Sequence, residues 1–134
     1  MTQRVLVAAL VMVLAGVGCG LTEKATPFAM TINHSSFGMG EMKFEAGDIV
    51  RFTVTNADPI DHELIIGDQR VQDLHEKGTE AEHGSVPGEI SIPAGETRTT
   101  VYKFDEAGTL FFACHLPGHF AYGMHGDIIV KEIA

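Results

Sequence analysis

Three Ala-Gly pairs, Ala46-Gly47, Ala94-Gly95 and Ala107-Gly108, each stand just before a run of β-forming residues, and they constrain this chain more than any other feature. The runs carry the two-residue alternation of half-buried strands. Ile49 to Thr55 puts Val50, Phe52 and Val54 on one face and Arg51, Thr53 and Thr55 on the other. In Asp61 to Ile66 the shared face is His62, Leu64 and Ile66, and further on it is Leu110, Phe112 and Cys114. Phe28 to Ile32, Thr97 to Phe104 and Gly126 to Ile133 complete the candidate strands. Short strands separated by turn signals predict an all-β antiparallel sandwich. One stretch departs from this pattern. Val71 to Glu82 is polar and acidic, with Val71, Leu74 and His75 at helical spacing, and predicts a short surface helix within a long loop running to Gly88.

The first residues are of a different kind. Arg4 precedes an almost unbroken apolar run from Val5 to Val17, which ends on Gly18-Cys19-Gly20. A positive start, a short apolar run and small residues at its end read as a secretory signal peptide over residues 1–18. The run falls short of the roughly 20 residues that span a membrane comfortably; the competing reading is an uncleaved, tilted anchor helix. Cys19 stands where bacterial lipoproteins carry their lipidated cysteine, although Gly16 occupies the position at which that pattern prefers Leu. Residues 19–27 then read as a tether and 28–134 as one domain, large enough for a single core. The expected location is beyond the cytoplasmic membrane, periplasmic or at the cell surface, with lipid attachment at Cys19 as the route to a membrane.

The chain's formal charge is −9 and the signal's only charge is Arg4, so the exported part is more acidic still. Such a domain is not expected to bind nucleic acid or an anionic membrane surface; it favours a protein partner with a basic docking face. Two cysteines in an exported chain invite a disulfide, but Cys19 lies at the processing site. Cys114 is then alone in the folded part, a liability in an oxidising compartment unless something occupies the thiol. Metal is one occupant; burial as a small apolar side chain is the alternative.

The residues after Cys114 favour metal. The segment Cys114-His115-Leu116-Pro117-Gly118-His119-Phe120-Ala121-Tyr122-Gly123-Met124 spaces a thiol, an imidazole and a thioether at five-residue steps directly after a strand. Soft sulfur combined with imidazole selects copper over hard cations. One short loop cannot surround an ion, so another ligand must come from elsewhere. His62 is the candidate, at the start of a strand and on the same face as apolar Leu64 and Ile66. Two His and one Cys with a weak axial Met is the type 1, or blue, copper arrangement, with one copper per chain. Pro117 stiffens the loop, and Gly118 and Gly123 permit its bends. Zinc would need Met as its fourth ligand, an unusual choice for that ion.

On these residues the chain resembles a cupredoxin from about Phe28 to Ile133, and its C-x4-H-x4-M loop is most similar to that of rusticyanin and sulfocyanin. The resemblance implies a Greek-key β-sandwich with copper at one end, held by His62, Cys114, His119 and Met124, and a role as a one-electron carrier between redox proteins. Glu63 departs from the Asn or small polar residue that follows the first ligand in many relatives, which bears on the hydrogen bonding behind the ligand and on the redox potential.

Other residues carry weaker signals. His115 points to the strand face opposite Cys114 and is not expected as a ligand, and His125 is expected at the surface near the copper end. His34, His75 and His83 lack a partner at a telling spacing, although His75 and His83 with Glu76 or Glu82 would make a second metal site. Met39 and Met42 either pack or bind Cu(I). The acidic loop Asp73 to Glu82 reads as a solvated face or as a docking patch that steers partners. At least one of Phe120 and Tyr122 is expected to shield copper from water or to form an apolar contact patch for partners. Two functions fit a monomer of this kind: an electron carrier, which retains its ion, and an envelope protein that sequesters or delivers copper or confers resistance to it. An enzyme is not expected, because copper oxidases and nitrite reductases need a further histidine-rich site, and no nucleophile–base motif or phosphate-binding glycine loop is present.

Overall fold

Eight strands and two short helices occupy residues 24–134, the part of the chain that the computed structural model describes. The expected signal peptide over residues 1–18 and Cys19 lie outside the described residues. The strands are β1 (Thr26–Ile32), β2 (Glu41–Glu45), β3 (Ile49–Asn56), β4 (His62–Gly67), β5 (Glu89–Ile92), β6 (Thr97–Lys103), β7 (Gly108–Ala113) and β8 (His125–Lys131). Helix α1 (Gln69–Glu76) follows β4, and the single turn α2 (His119–Tyr122) lies between β7 and β8.

The expected two-sheet sandwich is present. One sheet has the order β1-β3-β6 and the other β2-β8-β7-β4-β5. Most pairs are antiparallel, but β1 runs parallel to β3 and β2 parallel to β8. The chain passes from one sheet to the other between β1 and β2 and returns before β3. Neither edge strand is therefore a hairpin neighbour of its partner, and only hairpin partners must be antiparallel.

Between the sheets, β3 buries Val50, Phe52 and Val54 and exposes Arg51, as its alternation predicts. The Phe52 ring meets those of Phe28, Phe44 and Phe104 at centroid separations of 5.5, 5.9 and 6.5 Å, edge-on or tilted as ring quadrupoles prefer. Met42 lies in this core and Met39 packs against it, so both act in packing.

Strand β4 departs from simple alternation, because all six of its residues are buried. Helix α1 covers the face that would otherwise meet water. Gln72 Nε2 donates to the carbonyls of Ile65 and Phe111, each at 3.2 Å, fastening the helix across β4 and β7. The helix begins at its Asp68 cap, whose carboxylate accepts from Val71 N at 2.9 Å. It lies earlier than the 71–82 stretch and turns Gln72 and His75 inward, leaving Leu74 53% exposed. Among the described residues no helix is long and apolar enough to cross a membrane.

Candidate metal centre

The antiparallel pairing of β4 with β7 sets Ile65 beside Ala113, which brings the start of β4 to the same end of the sandwich as the end of β7. His62 opens β4, and Cys114 comes directly after the last residue of β7. The segment from Cys114 to Met124 folds back on itself. Cys114 N donates to the Met124 carbonyl at 3.0 Å, Met124 N to the His119 carbonyl at 3.1 Å, and His119 N to the Leu116 carbonyl at 2.9 Å. Gly118 and Gly123 bound α2 with φ of 84° and 113°, where a side chain would be strained.

Three side chains converge in agreement with the sequence pattern. His119 Nδ1 lies 3.2 Å from His62 Nδ1 and 3.3 Å from Cys114 Sγ. His62 and Cys114 are fully buried, and His119 is half-buried. His62 Nε2 lies 2.9 Å from Asp58 Oδ2. A carboxylate only accepts, so Nε2 carries the hydrogen and Nδ1 turns its lone pair toward the cluster.

Asp58 is itself held in place. The backbone N–H groups of His34 and Ser35 donate to its two oxygens at 2.7 Å each. Both residues have φ of 51°, which aims successive N–H groups at one anion. The N–H of Ser35 leads in holding the Asp58 carboxyl below its ordinary range; burial opposes, while His62 and the N–H of His34 reinforce it. Asp58 N in turn donates to Asn56 Oδ1 at 3.0 Å, and the Asn56 amide donates to the Ile60 and Ile92 carbonyls. This chain of bonds fixes the loop ahead of His62. Nothing in the spacing of the sequence marks Asp58.

Glu63 has a definite place as well. Its Oε1 accepts from His115 N at 2.8 Å and so ties β4 to the ligand loop. Burial pushes the Cys114 thiol up to about 11, partly offset by backbone N–H groups of Leu116 and Glu63 that bond the sulfur. Burial, followed by the nearby His62, lowers His119 below the usual imidazole range. At neutral pH the metal-free centre therefore holds a protonated thiol and a neutral His119 imidazole.

One sulfur and two imidazole nitrogens meeting at these distances fit copper better than hard cations, which prefer oxygen. His62, Cys114 and His119 would hold the ion. Met124, fully buried and fixed by its two backbone bonds, would offer its thioether as the weak fourth donor. Copper bound in such a set supplies a reversible one-electron couple.

The remaining histidines separate cleanly. His115 faces away from the cluster, with Nδ1 2.7 Å from Glu76 Oε2 and Nε2 2.7 Å from Gln72 Oε1. His34 is exposed and acts through its backbone. His125 is exposed and stacks on Phe120 at 4.6 Å, while the other stacking contact of Phe120 is His115 at 5.2 Å. Tyr122 is 75% exposed at the surface. His75 and His83 do come together, but the carboxylate that joins them is Glu89. Glu76 is engaged by His115, and Glu82 lines a separate cleft beside His62. No sequence signal points to Glu89, because it opens β5 and lies outside the 71–82 stretch that holds His75.

The comparisons agree with the geometry. Residues 26–131 match the family model for copper binding proteins of the plastocyanin/azurin family. The "Copper-resistant cuproprotein CopI" of Rubrivivax gelatinosus is 35% identical over 89 residues, covering 63% of this chain and 53% of that protein. The chain spans about half the length of the curated relatives it matches, and these are named as cuproproteins, not as enzymes. Among solved structures, the dithionite-reduced auracyanin of Roseiflexus castenholzii superposes with a TM-score of 0.65 at 18% identity, covering 81% of this chain and 99% of that one. The blue copper oxidase of Nitrosomonas europaea gives 0.59 at 22% identity, covering 81% of this chain and 39% of that one. Both likenesses concern the fold alone. With its matched family model, its sandwich and its His-Cys-His cluster, the chain belongs to the copper-binding plastocyanin/azurin family.

Proposed function

We propose that this chain is an exported copper protein that protects the cell by holding copper in a type 1-like site made of His62, Cys114, His119 and Met124. The observation that carries the reading is the convergence of buried His62 and Cys114 with half-buried His119, backed by Asp58. The printed name of the CopI relatives supports resistance as the purpose. The C-x4-H-x4-M spacing, similar to that of rusticyanin and sulfocyanin, favours Met124 as the axial donor. The apolar run after Arg4 favours export, Cys19 offers a lipid anchor, and the −9 charge favours a partner with a basic docking face. The domain acts as a monomer and performs no catalysis of its own.

A second reading, one-electron transfer, is favoured by the half-buried His119 beside exposed Tyr122, which would bring the metal close to a docked redox partner. Growth on copper separates the two. A strain lacking this chain should lose copper tolerance, which the wild-type gene restores and Cys114→Ser does not. Unchanged tolerance, with loss of a respiratory electron-transfer step instead, would replace the protective reading by the carrier one.

A further inference from the structure

We propose that His75, His83 and Glu89 form a second cation site, for a borderline divalent ion such as Zn(II) or Cu(II), separate from the cluster around Cys114. The ligand atoms of the three residues all lie within 4.8 Å of one another. His75 Nε2 lies 3.3 Å and His83 Nδ1 3.5 Å from the same Glu89 Oε2. Two ligand atoms held tetrahedrally at about 2.1 Å from one ion stand about 3.4 Å apart, which matches both separations.

A hydrogen bond to a backbone carbonyl settles which nitrogen of His75 is free. His75 Nδ1 donates to the Val71 carbonyl at 2.8 Å, so Nε2 bears a lone pair. His83 Nε2 faces Thr79 Oγ1 at 3.4 Å and Glu63 Oε2 at 3.6 Å; in the tautomer that carries its hydrogen on Nε2, Nδ1 turns a lone pair toward Glu89. Among the described residues, His75 Nε2 and His83 Nδ1 are buried atoms without a hydrogen-bond partner, on side chains 7% and 3% exposed. Two buried, unpartnered ring nitrogens facing one carboxylate oxygen make a place that a cation would fill.

Two imidazoles and a carboxylate suit zinc and divalent copper, unlike the sulfur-containing set of the first centre. Glu80 Oε1, 3.7 Å from His83 Nδ1 and on a side chain 56% exposed, supplies an oxygen at the rim. A cleft of about 380 Å³ bordered by His75, Glu80 and His83 gives an ion access from solvent. His115 stands near, its ring 6.0 Å from that of His75, but both of its nitrogens are taken by Glu76 and Gln72. Glu63 touches both places, with one oxygen toward His115 N and the other toward His83.

The test titrates the copper-loaded protein with Zn(II), followed by calorimetry and by elemental analysis after gel filtration. One Zn(II) per chain should bind in addition to the copper. His83→Gln and Glu89→Gln should each weaken it by more than about 100-fold, beyond the 10–100-fold that losing an outer hydrogen-bond partner costs, with the thiolate-to-copper absorption unchanged. Glu89, at the edge of the cluster, keeps the test open if His83→Gln does not fold. Displacement of Zn(II) by Cu(II) would show a site that follows the ordinary affinity order and takes either ion, and resistance to displacement would assign it to zinc; both support a second site. Absence of any divalent ion beyond the first copper, or binding that survives both substitutions, would overturn it. Should the Cys114 centre take no copper, the proposed function fails, while the loss of Zn(II) in these two variants still reports on this site.

Discussion

Replacing Cys114 by serine should lower the affinity for Cu(I) by more than about 100-fold and abolish most of its pH dependence. Loss of an outer partner alone costs 10–100-fold, and here a soft ligand itself gives way to a hard, un-ionised hydroxyl. The Cys114 thiol is pushed up to about 11, chiefly by burial, so at neutral pH a proton must leave before the sulfur can bind. In the wild type, the apparent affinity should therefore rise by about tenfold per pH unit between pH 6 and 8 and fall as the solution is acidified. Serine has no comparable proton to lose, and the slope should flatten. Competition with a Cu(I) chelator at several pH values reads both effects. Equal affinity and an equal slope in the variant would put the sulfur outside the site.

Phe52→Ala should destabilise the metal-free domain by about 3–5 kcal/mol, the range for truncating a buried aromatic side chain. Phe52 is fully buried and its ring touches Phe28, Phe44 and Phe104, so neighbours from both sheets would have to move to fill the space. Domains of this size have about 5–15 kcal/mol of stability, and each kcal/mol shifts the melting temperature by about 4–8 °C. A fall of roughly 12–40 °C is expected on that scale. Thermal and urea unfolding of the metal-free protein measure it. A loss under about 1 kcal/mol would mean that the ring cluster does not hold the two sheets together.

The sequence makes some of this architecture readable and hides the rest for physical reasons. The inward face of β3 appears in the alternation of Val50, Phe52 and Val54, because that strand is covered on one side more than the other. The His62, Cys114 and His119 cluster is legible because two of its members lie five residues apart in a glycine-bounded loop. Strand β2 is hard to see because charged Glu41, Lys43 and Glu45 dominate five residues whose inward side chains are only Met42 and Phe44. Strand β5 has four residues and no turn pair of the Ala-Gly kind before it. The helix lies earlier than its pattern suggests because inward-facing Gln72 reads as polar and outward-facing Leu74 as core. Asp58 and Glu89 are invisible for another reason: their roles depend on what β1, β4 and α1 bring beside them, and no local spacing encodes that.

The visible absorption spectrum of the Cu(II)-loaded protein, recorded with its electron paramagnetic resonance and beside Cys114→Ser, tests the central claim most directly. An intense thiolate-to-copper band in the wild type that vanishes in the variant is the result expected if Cys114, His62 and His119 hold the ion. A weak, ordinary Cu(II) spectrum that is the same in both proteins would contradict the proposed centre.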